Sequence, residues 1–153
     1  MSLDSSFWLD ADLRPEGAQA ILVGAGIFER GDSYRHGLRM FADGTILAVS
    51  PERSAFGPFQ EAGIAPTLHF FFANSDNEKT RAWTENTVRA VVALLDSVAG
   101  DALLLYCSDS PALLRKDGKI VLDRRCGLWQ SGVEPEVLSL IAPPYEFGII
   151  PVT

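Results

Sequence analysis

The residues best suited to chemistry are few in this chain and mostly stand alone. Cys107-Ser108-Asp109-Ser110-Pro111 sets a thiol, two hydroxyls and a carboxylate side by side, the raw material of nucleophilic catalysis. A nucleophile there needs a base and an oxyanion hole close in space, and the surrounding sequence offers neither. Ser, Asp and Pro also close tight turns, through local hydrogen bonds and a fixed φ, so the segment reads as a turn between two strands. His36 and His69 have no Cys or His at ligand spacing, whereas a closed zinc site takes four such ligands. No metal site is expected. His69, inside an aromatic run, reads as a sheet residue rather than a general base, and His36, beside Gly37, as a turn residue.

Ile21-Leu22-Val23-Gly24-Ala25-Gly26-Ile27-Phe28-Glu29 has the opening of a turn whose backbone N–H groups hold a pyrophosphate at a helix N-terminus. Glu29 stands where a third glycine would allow close strand–helix packing, and Arg30-Gly31-Asp32-Ser33 does not continue as a helix. The context for the motif fails, and no cofactor is expected. Arg115, Lys116, Lys119, Arg124 and Arg125 form the only basic cluster. On a hairpin such a cluster reads as a solvated face or a guard of the sheet edge, with a phosphate site as the alternative.

The elements that must position these residues come from pattern. Phe7, Leu9, Ala11 and Leu13 alternate with Trp8, Asp10 and Asp12, a half-buried strand with Trp8 on its other face. Arg14-Pro15-Glu16 opens a short helix over Pro15 to Val23, with Pro at its first position and Glu in its first turn. Tyr34 to Met40 and Thr45 to Val49 flank Asp43-Gly44, a hairpin signal. Pro51 to Pro66, with its prolines, glycines and scattered aromatics, reads as a connecting loop and a candidate binding surface.

Thr67 to Ala73 holds Leu68-His69-Phe70-Phe71-Phe72, apolar on both faces apart from His69. That pattern belongs to a strand covered on each side or lying at a partner interface. Ser75-Asp76-Asn77-Glu78 fits a capping box. From Trp83, residues Val88, Val91, Val92, Leu94, Leu95 and Val98 recur at helical spacing up to Gly100, a candidate C-terminal cap. Asp101 to Tyr106, Ala112 to Arg115 and Lys119 to Leu122 read as three strands, the last two joined by a second Asp-Gly turn at Asp117-Gly118. Glu134-Pro135-Glu136 opens a short helix through Ile141. Pro143-Pro144 ends it, and Phe147 to Val152 is expected as an edge strand. The expected fold is a single α+β domain over residues 1–153: a mostly antiparallel sheet, two main helices on one face and two Asp-Gly hairpins.

Composition bounds the function. With 153 residues, 47% of them hydrophobic, the chain has the apolar surface for one core. A net charge of −7 repels phosphate backbones and anionic lipid, so nucleic acid and membranes are not expected partners; it suits a basic protein partner, but acidity of this size more often serves solubility alone. Met1-Ser2-Leu3-Asp4 has neither the basic start nor the apolar run of a secretion signal, and the apolar run Ala102 to Cys107 is far below the roughly 20 residues that cross a bilayer. With only Cys107 and Cys126, both read as free thiols in a reducing compartment, which points to the cytoplasm.

Gly100-Asp101-Ala102-Leu103-Leu104-Leu105-Tyr106, then Pro111 through Arg115-Lys116-Asp117-Gly118-Lys119 to Leu122, then Gly127-Leu128-Trp129 resembles the C-terminal core of small immunity proteins from bacterial swarm-inhibition toxin systems. The preceding amphipathic helix resembles that family as well, so the similarity runs from Gly63 to Trp129, while the N-terminal half matches in gross order alone. The resemblance implies a non-catalytic protein that binds and blocks a cognate toxin stoichiometrically. The acidic charge would then suit a basic toxin, and Trp83, Arg115 and Trp129 would anchor the interface if exposed. The residues themselves leave two further readings open. One is a small enzyme or ligand-binding domain with a pocket near His36, His69 and the 51–66 loop. The other is a subunit that pairs through an exposed sheet edge.

Overall fold

Two strands rich in aromatic side chains sit at the centre of the molecule, β1 (Asp4–Leu9) and β5 (Leu68–Asn74). They pair antiparallel, and Phe7 stacks on Phe70 across the ladder at 5.7 Å. The computed structural model describes residues 3–132 and 135–152. Around the central pair lie β2 (Glu29–Tyr34), β3 (Gly37–Ala42), β4 (Thr45–Pro51), β6 (Ala102–Tyr106), β7 (Ser110–Lys116), β8 (Lys119–Asp123) and β9 (Glu146–Gly148). They form one sheet in the order β2-β3-β4-β5-β1-β6-β7-β8-β9, antiparallel throughout except for the parallel β8–β9 pair. Among the described residues three α-helices complete the α+β fold: α1 (Pro15–Gly24), the single turn α2 (Pro58–Glu61) and α3 (Thr80–Ser97).

The two long helices pack side by side on one face of the sheet. The 3.6-residue period of α3 turns Val88, Val91, Leu94 and Leu95 inward, against Phe7, Leu9, Met40, Leu47, Phe70, Phe72 and Leu104, while buried Trp83 stacks on Tyr106 at 5.6 Å. On the opposite face a second cluster forms where Phe59, Ala62 and Ile64 from the α2 segment, together with Ile150 and Val152 from the tail, cover Trp8, Leu103, Leu105 and Leu114. Asp117 (φ 52°) and Gly118 (φ 80°) join β7 to β8. Positive φ at both central residues matches the twist of a two-residue hairpin turn, which explains the Asp-Gly pair.

Several expected boundaries move, each for a tertiary reason. The first strand covers residues 4–9 rather than 7–13, because Leu9 ends the ladder and Thr67 takes over. Thr67 N–H donates to the Leu9 carbonyl and Thr67 Oγ1 to the Ala11 carbonyl, while Ala11 and Leu13 pack on the core from the following turn. Asp76, not Ser75, caps the 3-10 turn at Asn77–Lys79 by accepting from the Glu78 N–H. Gly100 is not the helix cap; a Cβ there would lie 1.8 Å from the Asp10 carbonyl oxygen, so close backbone approach is what excludes a side chain. The short helix expected through Ile141 is a 3-10 turn, Leu138–Leu140, and Glu134 of its proposed start lies outside the described residues. The tail does form an edge strand, but over Glu146–Gly148. Strand β2, exposed along its whole length with the sequence Glu-Arg-Gly-Asp-Ser-Tyr, carries no alternation and exists through its pairing with β3.

Candidate functional site

Trp83, Arg115 and Trp129, the residues expected to anchor a partner if exposed, are 0%, 8% and 4% exposed. Each holds an internal position. Trp83 Nε1 donates to the Phe72 carbonyl at 3.2 Å and Trp129 Nε1 to the Ala112 carbonyl at 2.7 Å, which satisfies the one donor of each indole. Arg115 reaches from β7 to the end of α3, where Nε, Nη1 and Nη2 donate to the carbonyls of Gly100, Leu95 and Val98, each at 2.7 Å. The guanidinium thus occupies the helix terminus, where orphan carbonyls and the dipole favour a cation.

The segments bearing the two histidines come to the same end of the sheet. Gly37, next to His36, lies against Ser50, which pairs with His69 in β5. The His69 ring stacks on Trp8 at 4.9 Å, its Nε2 is 2.9 Å from Ser6 Oγ, and burial pushes its pKa below the usual histidine value. It is a neutral packing group at pH 7. The 51–66 segment is a lid on Trp8 rather than an open loop: Phe59 meets Trp8 at 5.7 Å, and Trp8 Nε1 donates to Glu52. The glycines at 24 and 26 end α1 instead of preceding a helix, so the peptide groups there present carbonyls, which repel a pyrophosphate.

A cleft of about 430 Å³ opens at the opposite end of the sheet, lined by Thr80, Arg81, Thr84, Tyr106, Cys107, Arg125 and Cys126 among others. Its groups are not poised for nucleophilic chemistry. Burial pushes both thiols above their ordinary value and raises Tyr106 to about 12, the reverse of what activates a cysteine. Arg125 is held by a two-pronged contact to buried Asp123, which also accepts from the N–H groups of Arg125 and Ile150. Arg125 holds the Asp123 carboxyl down at about 2. That pair ties the tail to β8. Cys107 and Ser108, both at positive φ, make the expected turn, pinned to β1 by Ser108 N–H to the Asp4 carbonyl.

Among the described residues, the second face of the sheet is covered over one half. Beyond Trp8, outward positions on β3, β4 and β5 carry Arg39 and Phe41, Ile46 and Ala48, and Phe71 and Ala73. Two rows cross these strands, Phe41–Ile46–Ala73 and Arg39–Ala48–Phe71. Tyr34, Phe41 and Phe71 are 43%, 38% and 37% exposed. Sequence reasoning named none of these as binding residues, although the run Phe70-Phe71-Phe72, apolar on both faces, carried the signal. Arg39 forms a bidentate pair with Asp32 at 2.9 and 2.6 Å and lies over the rings of Tyr34 (5.1 Å) and Phe41 (6.0 Å).

Both halves of this architecture, from β1 to the turn at Trp129, fall within residues 3–132, which match the family model described as SitI3-like. The chain belongs to the SitI3-like family. Membership is consistent with the resemblance to swarm-inhibition immunity proteins but corrects its extent: the N-terminal half belongs to the pattern as fully as the C-terminal half. The SitI3-like match includes every strand of the open face and ends before the tail that carries β9, Ile150 and Val152. No curated protein and no solved structure matches the chain. Among the described residues of this SitI3-like protein, no helix is long and apolar enough to cross a membrane, and no group of three or more His, Cys, Asp or Glu is placed to hold a metal.

Proposed function

We propose that this SitI3-like protein is a non-catalytic immunity protein of the cytoplasm that neutralises a cognate toxin by binding it directly. The family match through residues 3–132 carries this reading. Two features support it. The cleft between Tyr106 and Cys126 holds thiols and a phenol whose protonated forms are favoured. The open half of the sheet presents tyrosine, phenylalanine and arginine on rigid strands, a composition rich in residue types that enter interface cores. A charge of −7 would favour encounter with a basic partner.

The test is co-expression with the toxin encoded beside this chain's gene, followed by calorimetry. Binding near one to one is expected, with cell growth restored only when the chain matches the toxin in amount. Absence of binding, or protection by trace amounts of the chain that implies turnover, would overturn the proposal.

A further inference from the structure

We infer that residues 146–152 are a strap that opens from the sheet as one unit while the rest of the fold stays intact, uncovering the β8 edge and the side chains of Leu103, Leu105 and Leu114. The inference does not depend on the immunity reading above.

The core beneath the helices does not depend on this segment, since its last buried member along the chain is Ile141. Between Ile141 and the strap stand Pro143 and Pro144, which have no backbone N–H to tie them down. The strap is held at one end of β8. There β9 adds three residues in parallel, Arg124 N–H donates to the Gly148 carbonyl at 3.0 Å, and Ile150 N–H donates to Asp123 at 3.0 Å. Its apolar hold is Ile150 and Val152, which are buried in the cluster with Leu103, Leu105 and Leu114. Phe147 and Ile149 are exposed already and give up little when the strap leaves.

The anchoring carboxylate permits release. A buried charge left without partners would make opening very costly. Asp123, its side chain 1% exposed, accepts from Arg125 Nε, Nη2 and N–H as well as from Ile150 N–H. The three Arg125 donors stay in place when the strap departs, so opening breaks one hydrogen bond to the carboxylate and strands no charge. The strand beneath is also equipped to be an edge. Edge strands are guarded against pairing with other chains by charged side chains, lysine above all. Lys119 begins β8, Arg124 and Arg125 follow its last residue, and all three are exposed. A strand permanently enclosed between two neighbours has no use for that guard.

The test is amide hydrogen exchange of the full wild-type chain, read residue by residue by NMR at neutral pH without denaturant. The N–H groups of Arg124 and Ile150 bridge strap and body from opposite sides, so an opening of the whole strap frees both at once. Their protection, relative to free peptide, is expected to agree within about 5-fold and to be at least about 30-fold weaker than that of the amides in β1 and β5. Ile150→Ser, which removes a buried side chain from the strap, is expected to weaken protection at Arg124 by about 10-fold or more while leaving β1 and β5 unchanged. A smaller margin over β1 and β5 would show that the strap leaves only when the whole fold unfolds, and a wider gap between Arg124 and Ile150 would show piecemeal fraying. Either result overturns the inference, as does an effect of Ile150→Ser that extends equally to β1 and β5.

Discussion

Replacing Arg115 separates an internal role from a binding role. Its guanidinium satisfies three carbonyls where α3 gives way to β6, at 2.7 Å each, and so ties β7 to the end of the helix. Burial lowers its pKa, opposed by the nearby carboxylates of Asp101 and Asp96, but an arginine stays charged throughout the accessible pH range. Arg115→Met keeps the aliphatic stem and removes every donor. A buried acceptor left without a partner costs about 1–3 kcal/mol. Two of the three contacts are only partly buried, where water can replace the lost donor, so the expected loss is about 3–5 kcal/mol rather than the full sum. That is a large share of the roughly 5–15 kcal/mol typical of a domain. Arg115→Lys, with one ammonium in place of a fork, should recover only part of it. The assay is urea unfolding followed by circular dichroism, with toxin affinity measured separately on the folded fraction. A loss below about 1 kcal/mol for Arg115→Met would refute the assignment. So would a variant of unchanged stability that no longer binds toxin, because that result would make Arg115 an interface anchor.

Two further outcomes follow from titratable groups. Asp123 is held at about 2 against an ordinary 3.8, a difference worth about 2 kcal/mol, reduced to roughly 1–2 because Arg125 is half exposed. A depressed carboxylate stabilises the fold fully above its unfolded pKa and loses that contribution as pH falls through the folded one. Wild type should therefore lose its advantage over Asp123→Asn between about pH 4 and pH 2; parallel pH curves for the two proteins would contradict this. Cys107 and Cys126, both pushed up by burial, should react with iodoacetamide at pH 8 more slowly than a cysteine in a short peptide, with buried Cys126 the slower of the two. Rapid alkylation of Cys126 in the folded protein would show that the cleft is wetter than its walls imply.

Much of the secondary structure was legible because it rests on local rules. The period of α3, the proline at the start of α1 and the two Asp-Gly turns each depend on residues close in sequence. Strand β2 was not legible, since Glu29–Tyr34 has no pattern of its own and only the ladder to β3 defines it. The 51–66 segment looked like an open loop because its composition is that of one; Trp8, more than forty residues away along the chain, turns Phe59, Ala62 and Ile64 into a lid. Trp83, Arg115 and Trp129 show the same gap at the site. Their types favour interfaces, but type says nothing of whether a carbonyl such as that of Phe72, Val98 or Ala112 lies within reach.

The sequence by itself determined the fold class, the positions of the two long helices and of the two Asp-Gly turns, the acidic charge and the apolar excess of the Phe70-Phe71-Phe72 run, all properties of composition and short spacing. Tertiary structure alone decided which face of that excess is covered. Strand order places Phe71 beside Ala48 and Ala48 beside Arg39, while α2 and the tail cover Trp8. Exposure depends on which distant segments fold over a residue, and no local pattern encodes that.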